Sequence, residues 1–146
     1  KNDETLQISP TILDGITLDD PVMKEEIFGP ILPVIGVTSL QEAIDLIHKF
    51  EKPLALYYYG NSSEAKAVLK KTSSGGACIN DAMMHIANTN LPFGGVGHSG
   101  YGAYHGYDSF LCFTHKKAVV TTPTWIDLPF KYVPFKGFKW LKKFLT

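Results

Sequence analysis

The chain has 146 residues, 45% of them apolar and 19% charged, with fourteen basic and fourteen acidic side chains. This length fits one ordinary domain with a packed core, and the even spread of aliphatic and aromatic residues argues for an ordered protein. All fourteen bases are Lys, which argues against a nucleic-acid surface, and no apolar run approaches the ~20 residues of a membrane span. The neutral total hides an asymmetry. Residues 1–51 hold ten acids and three bases, a net of −7, and residues 52–146 hold four acids and eleven bases, a net of +7. Two cysteines, Cys78 and Cys112, form neither a disulfide framework nor a metal spacing. A reducing, cytoplasmic compartment is therefore the expectation. The first residue is Lys rather than Met and no signal-peptide shape follows it, so a segment of a longer chain is expected.

Residues 1–30 are rich in Pro, Asp and Gly, and Thr11-Ile12-Leu13 reads as strand or extended loop. Residues 31–37 are apolar and β-branched and predict a strand, with Pro33 suggesting an edge or an irregular start. Ser39-Leu40-Gln41-Glu42 fits a capping box. Leu40, Ala43, Ile44 and Ile47 then recur at helical spacing, with the helix expected to stop near Lys52, before Pro53. Residues 54–59 predict a second strand. Asn61 is placed to cap a second helix, which turns Ala65, Val68 and Leu69 inward and Lys66, Lys70 and Lys71 outward. A turn at residues 73–76 leads to a third strand at residues 77–79.

This β-α-β-α-β order predicts an α/β fold, a parallel sheet with crossover helices. Ligands of such sheets gather beyond the C-terminal strand ends, where the long loop from Asn80 to about Tyr101 begins. A helix is expected between Tyr101 and about Cys112, and a strand at residues 118–122, pairing elsewhere or with another subunit. Residues 1–117 read as one α/β part, 118–123 as a strand for assembly and 124–146 as a basic aromatic tail.

Glu25-Glu26-Ile27-Phe28-Gly29-Pro30 is the sharpest local feature. A carboxylate has two acceptor oxygens and suits a vicinal diol such as a nucleotide ribose, and an aromatic two residues on can lie against a planar heterocycle. The same block also reads as two solvated glutamates and a core Phe before a turn. Followed by an apolar strand, it resembles the cofactor-contact motif of the aldehyde dehydrogenase superfamily. Leu91-Pro92-Phe93-Gly94-Gly95-Val96-Gly97-His98-Ser99-Gly100, then Tyr104-His105-Gly106 and Phe110, resembles the class 3 aldehyde dehydrogenases, a group that includes the fatty aldehyde dehydrogenases. Residues 51–57 and 73–76 fit the same class, so the resemblance runs over about residues 8–122.

The resemblance implies the C-terminal part of an enzyme that oxidises an aldehyde, with medium- or long-chain fatty aldehydes as candidates, to a carboxylic acid using NAD or NADP. It implies that Glu26 hydrogen-bonds the nicotinamide ribose, that Phe28 packs near the nicotinamide and that Leu54 touches the same ring. His85, Ile86 and Phe93 would face the aldehyde channel. From the residues alone, Phe93 also reads as a loop anchor and His85 as a hydrogen-bonded structural residue. The resemblance further implies a homodimer and places the nucleophilic cysteine, the general base and the dinucleotide-binding half upstream of the 25 residues that precede Glu26. No catalytic residue is therefore assigned within this chain, and no dehydrogenase activity is expected of it alone. The alternative is a non-catalytic assembly or binding module.

Gly95-Val96-Gly97-His98-Ser99-Gly100 matches G-x-G-x-x-G, but no strand leads into it and no acid lies about twenty residues on, so it is rejected as a dinucleotide fingerprint. Its glycines are read as permitting close backbone turns near the pocket. The five histidines show no metal spacing, and no metal is expected. Cys78 and Cys112 both read as small apolar core residues. Five lysines and no acid follow Asp127. Phe138, Leu141 and Leu145 would share a helical face beside Trp140 and Phe144. Two readings stand for this tail: contact with an anionic membrane surface, or docking on protein.

Overall fold

The structure is a computed structural model, and it describes residues 2, 4–128, 131–134, 137, 139, 142 and 143. The chain divides into two compact units, Lys1–Phe113 and Thr114–Thr146. In the first unit, β1 (Thr11–Leu13) pairs in parallel with β2 (Ile31–Pro33), and β3 (Ala55–Tyr58) pairs in parallel with β4 (Gly76–Ile79). The helices are α1 (Leu40–Ile47), α2 (Ser62–Lys71), α3 (Met84–Ala87) and α4 (Gly106–Cys112).

The parallel pairing and the crossover helix appear in β3-α2-β4. The strand expected over residues 31–37 is shorter and lies in a different sheet. Pro33 has no amide hydrogen to continue the ladder, and the Val34 amide donates instead to Leu13 O at 2.8 Å, so β2 stays with β1. Two separate two-stranded sheets replace the single sheet expected.

At the start of α1, Ser39 Oγ accepts from the Glu42 amide at 3.1 Å. Glu42 does not close the box on Ser39; its carboxylate accepts from the Thr38 amide at 2.7 Å and the Thr38 hydroxyl at 2.6 Å. Those two hydrogen bonds hold the Glu42 carboxyl below its ordinary value of 4.5. The helix ends earlier than Lys52. The Lys49 and Phe50 amides donate to Leu46 O and Ile47 O, three residues back, and this tightening terminates the α-helical ladder. At α2, the Asn61 side chain accepts from the Ser63 and Glu64 amides at 3.0 and 2.9 Å, the cap expected. His48, just past α1, bonds the carbonyl of Lys71, the last residue of α2, at 2.7 Å. A carbonyl can only accept, so the His48 proton sits on Nε2.

The core lies between these elements. Ile44 of α1, Leu56 of β3 and Val68 of α2 are buried together, with Leu40, Ile47, Tyr58 and Ala77 packed around them. Ala65 is buried as expected, whereas Leu69 stands at the exposed edge of α2. α4 begins at Gly106 rather than near Tyr101. Gly100, Gly102, His105 and Gly106 all have positive φ, and the Phe93–Tyr104 antiparallel bridge takes up Tyr104 before a helix can start.

In the second unit, residues 118–122 have no ladder partner among the described residues, and Val119 and Val120 are exposed. A strand exists only through pairing, so no strand forms there in the single chain. Tyr132 bonds Asp127, and that acceptor raises its phenol above the ordinary value of 10.0. The tail face of Phe138, Leu141 and Leu145, with Trp140 and Phe144, lies outside the described residues. No helix among the described residues is long and apolar enough to cross a membrane.

Ile44 is 2% exposed at the centre of this core. Ile44→Ala is expected to lower unfolding stability by about 2–5 kcal/mol, read as a fall in the urea midpoint at unchanged slope.

Candidate functional site

Two adjacent glycines organise the first unit beyond the strand ends. The Gly75 amide donates to Pro53 O at 3.0 Å and the Gly76 amide to Leu54 O at 2.9 Å, which pins the entrance of β3 to that of β4. A Cβ on Gly75 would overlap Gly94 O and stand 2.6 Å from Leu54 O. A Cβ on Gly94 would overlap Gly102 O, and one on Gly95 would overlap Ser99 O. The glycine block thus folds back on itself and seats against the backbone beside Leu54. The turns expected of these glycines are present, and Gly97–Ser99 makes a single 3-10 turn that opens no helix, unlike a dinucleotide fingerprint.

At the far end, Asn80 ties the strands together. Its amide group accepts from the Gly60 amide at 2.7 Å and donates to Gly60 O at 3.0 Å. The loop leaving β4 therefore starts from a fixed point, where Asn80 takes a φ of 56°.

The six site residues inferred from sequence fall into separate groups. Glu26 and Leu54 line one cavity of about 620 Å³, together with Glu51, Lys52, His98 and Ser99 among others. That volume falls in the ~300–1,000 Å³ range of small-molecule and cofactor pockets. Glu26 is exposed, and its carboxylate has no hydrogen-bond or ion-pair partner among the described residues. Glu51, by contrast, is joined to His98, with 2.7 Å between Oε2 and Nδ1. Phe28 does not line the cavity. It sits two residues beyond Glu26 at φ 45°, and its side chain is 94% exposed.

His85 and Phe93 meet in an aromatic cluster instead. Their rings are 5.6 Å apart, Tyr57 stands edge-on to His85 at 5.8 Å, and Tyr104 and His105 flank Phe93 at 5.8 and 6.0 Å. His85 is 8% exposed, with Nδ1 3.4 Å from Cys78 Sγ and Nε2 without a partner. The ring lies against β4, where a Cβ on Gly76 would stand 2.5 Å from His85 Cδ2. His105 Nδ1 is likewise buried without a partner. Ile86 follows His85 on α3, half-buried.

Cys78 is buried in β4, as read from the sequence. Cys112 is not a core residue. It ends α4 at the surface and donates its thiol to Ala103 O at 2.9 Å. Among the described residues, no three His, Cys, Asp or Glu side chains are placed to hold a metal ion.

The sequence offered Glu51 and Lys52, like His98 and Ser99, only as positions within longer motifs and assigned none of them a role. Their spacing of some fifty residues leaves no periodic signal. A smaller hollow of about 300 Å³ lies by His48, Lys71 and Thr72, but it holds none of the inferred residues.

Comparison with known proteins identifies the family. The chain matches the aldehyde dehydrogenase family over residues 1–119. It is 49% identical over 139 residues to 4,4'-diaponeurosporen-aldehyde dehydrogenase of Staphylococcus aureus, covering 94% of this chain and 30% of that protein. It is 58% identical over 114 residues to aldehyde dehydrogenase family 3 member B1 of Bos taurus, covering 77% of this chain and 24% of that protein. A solved structure of Staphylococcus aureus AldH in a substrate-bound state superposes with a TM-score of 0.79 at 46% identity, covering 99% of this chain and 32% of that one. The chain belongs to the aldehyde dehydrogenase family. It spans 24–32% of the length of these relatives.

The close approach at Gly75 can be tested directly. Gly75→Ala is expected to destabilise the first unit by about 1–3 kcal/mol through forced backbone displacement. Gly36→Ala, where a Cβ meets nothing within 4 Å, serves as the control and should not destabilise. Thermal or urea unfolding of the two variants compares them.

Proposed function

We propose that this chain supplies the nicotinamide-ribose wall and part of the aldehyde-binding side of an NAD(P)-dependent aldehyde dehydrogenase. The observation that carries the proposal is the uncommitted Glu26 carboxylate on a cavity that Leu54 also lines. A carboxylate left without a protein partner can accept from both hydroxyls of a ribose, and a neighbouring leucine gives the planar ring an apolar neighbour. An acceptor beside an apolar side chain fits the cofactor. Glu26 would hold the sugar, Leu54 would contact the nicotinamide, and Phe28, on the adjoining turn, would lie near that ring. When bound, the cofactor supplies the hydride acceptor for oxidation of the aldehyde to the carboxylic acid. His85, Ile86 and Phe93 are assigned to the aldehyde side; the exposed edge of their cluster suits an apolar chain, with fatty aldehydes the class favoured by the resemblance.

Neither cysteine is disposed as the attacking thiolate in this reading. Cys78 is buried in a strand, and Cys112 donates to a backbone carbonyl. The 146-residue chain by itself is therefore expected to be inactive. Incubated with NAD and an aliphatic aldehyde, it should show no rise in reduced-cofactor absorbance above a blank, and turnover would remove the proposal that catalysis needs further segments.

A second reading, assembly, is favoured by residues 118–122, exposed and without a ladder partner among the described residues. Pairing of this segment with a second subunit would complete a sheet and account for a dimer.

In the complete dehydrogenase subunit, Glu26→Gln is expected to weaken reduced-cofactor binding about 10- to 100-fold, the loss of hydrogen bonds to a charged acceptor. Fluorescence titration with NADH and NADPH reads the change. Unaltered affinity and hydride-transfer rate would overturn the assignment.

A further inference from the structure

We propose that His98 and Glu51 form a positioning pair that sets the separation of the cavity's two walls and thereby its affinity for the cofactor. The proposal rests on reading that cavity as the nicotinamide-ribose site. One wall is the segment from Glu51 to Leu54, and the other is the turn that carries His98 and Ser99.

The turn is internally braced. Ser99 Oγ accepts from the Val96 amide at 2.9 Å and donates to Val96 O at 3.1 Å, while the Gly100 amide donates to Gly97 O at 3.3 Å. Gly95, having no Cβ, lets Ser99 O lie against it. A turn braced in this way shifts as a body, so its attachments decide where Ser99 stands.

Two attachments stand out among the described residues. One is steric, the seating of Gly94 and Gly95 against Gly75. The other is polar, His98 Nδ1 to Glu51 Oε2 at 2.7 Å. No other hydrogen bond or ion pair joins residues 95–100 to residues 50–54 among the described residues. The Lys52 stem passes beside Gly97, where a Cβ would stand 3.8 Å from Lys52 Cδ, so the two segments run against each other at the pair. A carboxylate only accepts, so Nδ1 carries the donated proton whether the imidazole is neutral or charged. The pair also leaves Glu51 committed while Glu26 stays available.

Both side chains are about three-quarters exposed, 76% and 72%, so the effect belongs to the modest range of surface pairs. In the complete dehydrogenase, His98→Ala and Glu51→Ala are each expected to raise the cofactor KM and the NADH dissociation constant about two- to fivefold, with kcat and the aldehyde KM unchanged. The double variant should lose no more than either single one. His98→Gln, which keeps an N–H donor, should recover most of the loss. In the 146-residue chain without cofactor, ¹H–¹⁵N correlation spectra should find the neutral His98 protonated on Nδ1, and Glu51→Ala should move that proton to Nε2. Unchanged cofactor binding in His98→Ala or Glu51→Ala overturns the pair, as does an unprotonated Nδ1 in the neutral chain. Glu26→Gln, run in parallel, decides separately whether the cavity is the ribose site.

Discussion

At Gly75 three stretches of backbone meet with no space for a side chain. The carbonyl of Leu54 approaches from one side and the backbone of Gly94 and Gly95 from the other. Hydrogen bonds from Gly75 and Gly76 to Pro53 O and Leu54 O fix the first contact, and the folded-back glycine block makes the second. Leu54 therefore reaches the cavity from a segment held in place by backbone, not by its own side chain. Ser99 and His98 stand opposite because the block that carries them cannot retreat into Gly75. Any Cβ there would separate the loop from the sheet and open the cavity at its base.

Gly76, the next residue, performs the same service for the other cluster. Its missing side chain lets the His85 ring lie on β4, within reach of Cys78, and Phe93 and Tyr57 pack on that ring. Gly75, just before β4, thus seats the glycine block, and Gly76, its first residue, seats the His85 ring. The two glycines are consecutive in the chain, so the block that carries His98 and the ring of His85 are both seated at the entrance of β4. In the proposed reading, the cofactor wall and the aldehyde side would both take their positions from that entrance.

Much of this was legible from sequence wherever the signal was local. The Asn61 cap, the inward Ala65 and Val68, and the parallel pairing of β3 with β4 all follow from spacing and side-chain chemistry within a few residues. What failed was long-range. The number of sheets depended on whether Val34 would bond Leu13 or join β3, and nothing near Pro33 states that choice. The end of α1 was set by bonds to carbonyls three residues back, not by Pro53. The α4 boundary was set by a run of positive-φ residues whose conformations depend on the Phe93–Tyr104 bridge. Glu26 and Leu54 are neighbours of one cavity although 28 positions separate them in the sequence; the resemblance linked them, whereas the residues alone gave only a carboxylate beside a turn. The join of His98 to Glu51 had no sequence signal at all.

Phe28 bears on the proposed reading from a different direction. A bulky aromatic at φ 45° occupies backbone geometry that side chains with a Cβ seldom adopt, at a cost on the order of 1–2 kcal/mol. Burial of the ring would ordinarily offset that cost, yet the ring is 94% exposed. The conformation is held from outside the residue: Gly29 and Pro30 turn the chain, and Pro30 O accepts from the Thr11 amide at 2.9 Å, fastening the turn to β1. Glu26 is thereby left facing the cavity while the aromatic face is presented outward on the same short loop. A planar group resting on that face, as the proposed nicotinamide would, gives the ring the burial it lacks in the chain itself. In the proposed reading, the positive φ at Phe28 and the unpartnered carboxylate of Glu26 belong to one loop, turned by Gly29 and Pro30, that would meet a ligand carrying both a diol and a flat ring.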